Sequence, residues 1–185
     1  MAWWKSRRLQ FIAGSALLLL VLFLALRAIF YFGFSEVGNS VNPDASTLFK
    51  VFYIGLKFDL RLAILMVLPL FVLAYAPRYN LTTSRFVRNV TRVYLSLAVL
   101  GVLLFYIIDF GHYAYLGIRI NSTVLRFLSD ASISASMVWQ SYPVVWIIVG
   151  WIVSSGIFVF LTIVLERATI QRPGDHINGK QIALG

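Results

Sequence analysis

Arg27, Lys57, Asp59, Arg61 and Asp109 stand inside or at the edge of otherwise apolar stretches of this chain. Charge so close to hydrocarbon is costly unless it is paired, hydrated or carried outward on a long side chain. Counted from the basic end of each stretch, Arg27, Asp59, Arg61 and Asp109 all stand roughly 24 to 27 Å along their helices at 1.5 Å per residue. Residues from separate segments therefore share one layer. At 100° per residue Lys50, Lys57 and Arg61 fall within about 40° of one another, while Asp59 points to the other side of the same helix. Asp59 has no good partner on its own helix, so Arg27 is its expected partner in a structural ion pair. Lys57 and Arg61 remain for one of two roles: snorkelling to the interface, or receiving a lipid phosphate, Arg by two parallel hydrogen bonds and Lys as a point charge. Asp109 belongs to the same outer polar layer. His112 follows it by one helical turn, but the other histidine, His176, falls at the opposite end of the layout, so no metal site is expected. No nucleophile, base and orienting group come together in the sequence, and no Gly-rich phosphate loop is present. These residues alone do not define a catalyst.

The elements that hold this layer follow from composition. Of 185 residues 60% are hydrophobic and only 12% charged, and mean hydropathy is +0.84. That excludes an ordinary soluble domain. The net charge of +9 comes from basic residues in short segments between apolar blocks, a membrane pattern and not a nucleic-acid surface. Cysteine is absent, which excludes disulfides and thiolate chemistry.

The pattern predicts an all-α membrane protein with four transmembrane helices, at about 9–32, 48–76, 93–110 and 143–165, in a polytopic domain over 1–170. The first is an uncleaved anchor, too long for a signal peptide and followed by no cleavage site. Ser46 or Thr47 is placed to cap the second, and Pro69 should kink it. Its uncharged run, 62–76, covers only roughly 22 Å against a hydrocarbon core of about 30 Å, so it must carry charge into the boundary. Residues 77–92 read as a polar link. Between the third and fourth spans, residues 111–142 hold short interfacial helices behind the candidate caps Asn121 and Ser132. Gly150 and Ser154 offer a small-residue face for close helix packing. Residues 171–185 read as a cytoplasmic tail, turning apolar at Ile182 where a further helix would begin.

A cytoplasmic N-terminus places Lys5, Arg7 and Arg8, then Arg78, Arg85, Arg88 and Arg92, then Arg167, Arg172 and Lys180 inside, against Lys50, Arg119 and Arg126 outside. This asymmetry puts both termini in the cytoplasm. The aromatic girdles agree, with Tyr31, Tyr106, Tyr113, Tyr115, Tyr142 and Trp146 at the outer boundary. The Asn-x-Ser/Thr matches at Asn80, Asn89 and Asn121 carry no weight, since two fall on the cytoplasmic side.

Three stretches, GLKFDLRLAILMVLPLFVLA (Gly55 to Ala74), YIIDFGHYAYLGIRINSTVLRFL (Tyr106 to Leu128) and MVWQSYP (Met137 to Pro143), resemble the membrane domain of the lipoteichoic acid synthase-like family. These are membrane-anchored phosphoglycerol transferases and relatives of the alkaline phosphatase and sulfatase superfamily. The resemblance implies residence in a bacterial cytoplasmic membrane and an anchoring role that gives an enzyme access to lipid at the outer leaflet. It also implies five membrane helices and an extracytoplasmic domain with a nucleophilic Thr and a divalent metal cluster, which moves phosphoglycerol from phosphatidylglycerol to an acceptor. This sequence holds four spans and no such cluster, so no catalytic residue and no cofactor are carried over. The metal is expected only in the catalytic domain. The expected partners are membrane lipids, phosphatidylglycerol among them, and a catalytic domain or separate subunit; nucleic acid is not one. A different reading is a small four-helix protein that binds a partner subunit without catalysis. A transporter is disfavoured, because the spans lack charge at mid-depth and show no inverted repeat.

Overall fold

The computed structural model describes residues 7–34, 44–75, 84–120, 136, 138–140 and 142–170. They form four long helices in up-down-up-down order, α1 (Arg7–Phe34), α2 (Ala45–Tyr75), α3 (Arg85–Leu116) and α4 (Val144–Thr169), and no strand occurs among the described residues. α1 packs along α2 and α4, and α3 packs along α4.

Each helix buries one stripe at steps of three or four residues, the spacing that keeps side chains on one face. On α1 the stripe is Phe11, Ser15, Leu19, Phe23 and Leu26; on α2 it is Gly55, Asp59, Ala63, Val67 and Leu70. α3 contributes Val87, Thr91, Leu95, Val99 and Leu103, and α4 contributes Ser155, Phe158, Thr162 and Glu166. The interior is apolar, as in a protein in water, but so is most of the surface. Phe32, Phe105 and Trp146 are each at least 73% exposed, whereas Asp59 and Glu166 are 4% and 1% exposed. In water such a surface would be an unusually large apolar patch; against lipid tails it costs nothing. The buried hydroxyls are satisfied within their own helices: Ser15 donates to the Phe11 carbonyl, Ser155 to Trp151 and Thr162 to Phe158.

Three helices, Arg7–Phe34, Arg85–Ala114 and Val144–Thr169, are long and apolar enough to cross a membrane. α2 is as long, but Lys57, Asp59 and Arg61 interrupt its apolar run.

The helix boundaries differ from the sequence expectation in instructive ways. α3 begins at Arg85, inside the stretch read as a polar link, because Ser84 caps it by accepting from the Val87 N–H at 3.4 Å. It continues to Leu116, where Gly117, at φ 70°, turns the chain and donates its N–H to the Tyr113 carbonyl. α4 extends past Leu165 to Thr169. α2 starts at Ala45, so the capping position falls on Asp44, whose carbonyl accepts from Thr47 and Leu48, and not on Ser46 or Thr47. The helix runs through Pro69. Nearby, the Tyr94 hydroxyl of α3 donates to the Met66 carbonyl at 2.8 Å, a tie at the turn that the proline disturbs.

Gly150 and Ser154 do not make the expected tight helix contact. A Cβ at Gly150 would meet nothing within 4 Å, and both residues line an open recess of about 300 Å³ with Leu26, Tyr106 and Trp151. α4 instead approaches its neighbours through Ser155, Phe158 and Thr162, and through Leu165, which packs against Gly14 of α1. Residues 138–140 are helical. The interfacial helices expected around Asn121 and Ser132, and the tail over 171–185, lie outside the described residues.

Candidate functional site

The charged side chains gather in two layers near opposite ends of the helices. In the first, Arg27 of α1 and Asp59 of α2 form a two-point ion pair: Nε donates to Oδ2 at 2.9 Å and Nη2 to Oδ1 at 2.8 Å. α2 makes room for the guanidinium one turn before the aspartate. A Cβ on Gly55 would lie 2.3 Å from Cζ and Nη1 of Arg27, so the arginine occupies the space that a side chain at 55 would fill. Asp59 is thus buried without being left as an isolated charge, which would be far more costly.

Asp109 of α3 sits at the same end, since Phe30 of α1 packs on Phe110 and Tyr113 of α3. Its partner is Arg119, which donates to Oδ2 through Nε and Nη2, while the Ile120 N–H donates to Oδ1 at 3.0 Å. The arginine also lies over the Phe30 ring, with Cζ 4.8 Å from its centre. Both carboxylate oxygens are engaged, and the turn at Gly117 delivers the arginine to them. His112 closes the same turn: its Nδ1 lies 2.9 Å from the Ile118 carbonyl, which can only accept, so Nδ1 carries the proton. Among the described residues no group of His, Asp and Glu could hold a metal ion.

Lys57 and Arg61 point away from both pairs. Lys57 Nζ lies 4.3 Å above the Tyr53 ring and Arg61 Cζ 5.7 Å from the Phe58 ring, and neither has an acidic partner among the described residues. The structure therefore brings Arg27 to Asp59 and keeps Lys57 and Arg61 apart from them, on the opposite face of α2. Counting Arg27, Lys57, Arg61 and Arg119 against Asp59 and Asp109, this layer holds a surplus of positive charge.

The second layer was not foreseen from the sequence. Glu166, 1% exposed, accepts from Arg92 Nε at 2.7 Å and from Arg92 Nη2 at 2.8 Å, with Arg88 Nε 3.5 Å away. The pair joins the start of α3 to the end of α4. Its signal was the spacing Ser155, Thr162, Glu166, which continues the polar stripe of α4 beyond the point where the apolar run ends. For Arg119 the signal was Gly117, a helix stop that lets a residue ten positions after Asp109 fold back onto it. Along α3, Arg92 and Asp109 are separated by roughly 26 Å at 1.5 Å per residue, a little less than the hydrocarbon thickness of a bilayer.

These features define an all-helical protein of the membrane kind, its apolar helices bounded at each end by paired charge. Compared with known protein families, curated proteins and solved structures, the chain matches none.

Proposed function

We propose that this chain is a polytopic domain of the bacterial cytoplasmic membrane in which all four helices cross the bilayer and both termini are cytoplasmic. Its role is to anchor a lipoteichoic acid synthase-like phosphoglycerol transferase or sulfatase-like enzyme and give it access to lipid at the outer leaflet. The observation that carries the membrane reading is the apolar outer surface, with bulky groups such as Phe32, Phe105 and Trp146 exposed while the charged Asp59 and Glu166 are buried. The spacing of the two charged layers along α3 supports a crossing by that helix. α2 can cross as the fourth helix because its acid is neutralised by Arg27 and its cations reach outward. The anchoring role rests on the resemblance of the three stretches named above. Within this reading Arg27 and Asp59 are a structural pair, and Lys57 and Arg61 receive a lipid phosphate.

Two experiments test it. Single cysteines at Ser40, Ser84 and Ser129, in a chain that has none of its own, should be labelled from outside by an impermeant thiol reagent at 40 and 129 and not at 84. Labelling at 84 refutes the topology. For the anchoring role, the chain is fused in place of the membrane domain of a phosphoglycerol transferase. Restored polymer synthesis supports it; an inserted, folded and inactive fusion refutes it.

A further inference from the structure

Beside the outer-layer pairs lies a recess of about 280 Å³ lined by Phe105, Tyr106, Asp109, Arg119 and Ile120. We propose that it is a binding site for the phosphate of a membrane lipid headgroup, held by Arg119 and Tyr106. This inference rests on the membrane reading above, but on different residues from Lys57 and Arg61.

The arginine is oriented before any ligand arrives. Asp109 holds Nε and one edge of Nη2, and Phe30 supports the guanidinium face at 4.8 Å. Nη1 and the outer N–H of Nη2 are left over, the edge that a phosphate engages with two parallel hydrogen bonds. The Arg119 side chain is 53% exposed, so these donors are reachable. Asp109 does not repel the incoming anion strongly: its side chain is 13% exposed, and both its oxygens already accept from Arg119 and the Ile120 N–H.

Tyr106 supplies a further donor. Its ring is stacked on Phe23 at 6.5 Å, and the residue lines the recess beside Arg119. Phe105, 73% exposed beside the recess, offers apolar surface to the rest of a lipid just below its headgroup.

The full chain is assayed for retained phospholipid by native mass spectrometry after release from nanodiscs of phosphatidylglycerol and phosphatidylcholine. Wild-type protein should retain two phosphatidylglycerols, one in this recess and one at Lys57 and Arg61, and the variants that follow are read by loss of the lipid in the recess. Tyr106→Phe, which keeps the ring stack, and Arg119→Lys, which keeps the charge but not the fork, should each weaken retention about tenfold or more, as expected for the loss of a hydrogen bond to a charged group. Arg119→Gln should abolish it, and this variant is judged only if its thermal transition matches that of Arg119→Lys. Soluble inorganic phosphate is added as a competitor: displacement of the lipid shows that free phosphate suffices and overturns the lipid as ligand. Wild-type retention in both Arg119→Lys and Tyr106→Phe overturns the site. If those variants retain lipid while Lys57→Gln with Arg61→Gln loses it, this inference falls and the phosphate reading of α2 stands.

Discussion

Replacing Gly55 with alanine isolates the space on which the Arg27–Asp59 pair depends. The added methyl would lie 2.3 Å from Arg27 Cζ and Nη1 and 2.7 Å from Nε. Ordinary carbon contact is about 3.5 Å, so the guanidinium must retreat by roughly 1.2 Å. From hydrogen bonds of 2.9 and 2.8 Å, a retreat of that size takes at least one beyond bonding range. Breaking a buried pair costs about 3 to 5 kcal/mol. The Asp59 side chain is 6% exposed and cannot rehydrate in place, but that of Arg27 is 25% exposed and can recover some solvation. The expected loss is therefore about 2 to 4 kcal/mol, or roughly 5 to 12 °C in thermal midpoint for a chain of this size. Gly101→Ala is the matched control, since a Cβ there meets nothing within 4 Å and alanine is the better helix former. Midpoints are measured in one detergent for both variants, and for Gly55→Ala in an Arg27→Gln background. With the guanidinium gone, the same methyl should cost little. A Gly55→Ala midpoint equal to that of Gly101→Ala, or a cost unchanged without Arg27, would refute the argument.

The second layer predicts an asymmetric response. Arg92→Gln removes two short hydrogen bonds from a carboxylate that is 2% exposed, leaving it the Arg88 Nε at 3.5 Å, and should lower stability by about 2 to 3 kcal/mol, whereas Glu166→Gln leaves Arg92, 32% exposed, able to reach solvent and should cost only about 1 to 2 kcal/mol. Thermal midpoints of the two variants in one detergent check the order, and the reverse order would contradict the burial argument. Tyr94→Phe removes the tie to the Met66 carbonyl and should cost about 1 kcal/mol, read from the same scans. Gly150→Ala should leave the midpoint within about 0.5 kcal/mol or raise it, because the methyl enters an open recess; a clear loss would restore the tight-packing role expected of that position. Lys57→Gln with Arg61→Gln should preserve the midpoint and weaken retention of anionic lipid, and unchanged retention would leave snorkelling as their role.

How much was legible in the sequence depended on whether a feature was periodic. The helical class followed from apolar runs, and the shared layer of Arg27, Asp59 and Asp109 followed from residue counting. Opposing directions for Asp59 and Lys57 followed from 100° per residue. What periodicity does not carry is the neighbour on another helix. Glu166 ends an apolar run and reads like the first residue of a tail, so its burial between α3 and α4 is visible only once Arg92 is known to belong to a helix. That in turn depended on Ser84 acting as a cap within a stretch whose arginines resemble a solvated link. Gly150 and Ser154 fit a spacing associated with close packing, but small residues permit approach without compelling it, and here the neighbouring helix stands off. Gly55 carried no sequence signal of its own, because its role is defined by an arginine from α1.

α2 shows why such pairs decide the architecture. Its uncharged run is too short to match the hydrocarbon thickness, and a helix carrying Lys57, Asp59 and Arg61 would by composition alone prefer the interface. Each charge meets a different answer. Asp59, turned inward, is met by Arg27 over the bare backbone of Gly55. Lys57 and Arg61, turned outward, have long apolar stems and rest against Tyr53 and Phe58, so in the proposed crossing of α2 their heads would climb toward the headgroups while their carbons stayed among lipid. An aspartate has no such stem and could not be handled in that way. Exchanging the two faces of α2 would therefore be far from neutral: an outward acid would face lipid unpaired, and an inward lysine would oppose Arg27. The side of α2 on which each charge sits is thus set by side-chain length as well as by sign, and the Arg27–Asp59 pair is what lets α2 pack against α1 with its acid buried.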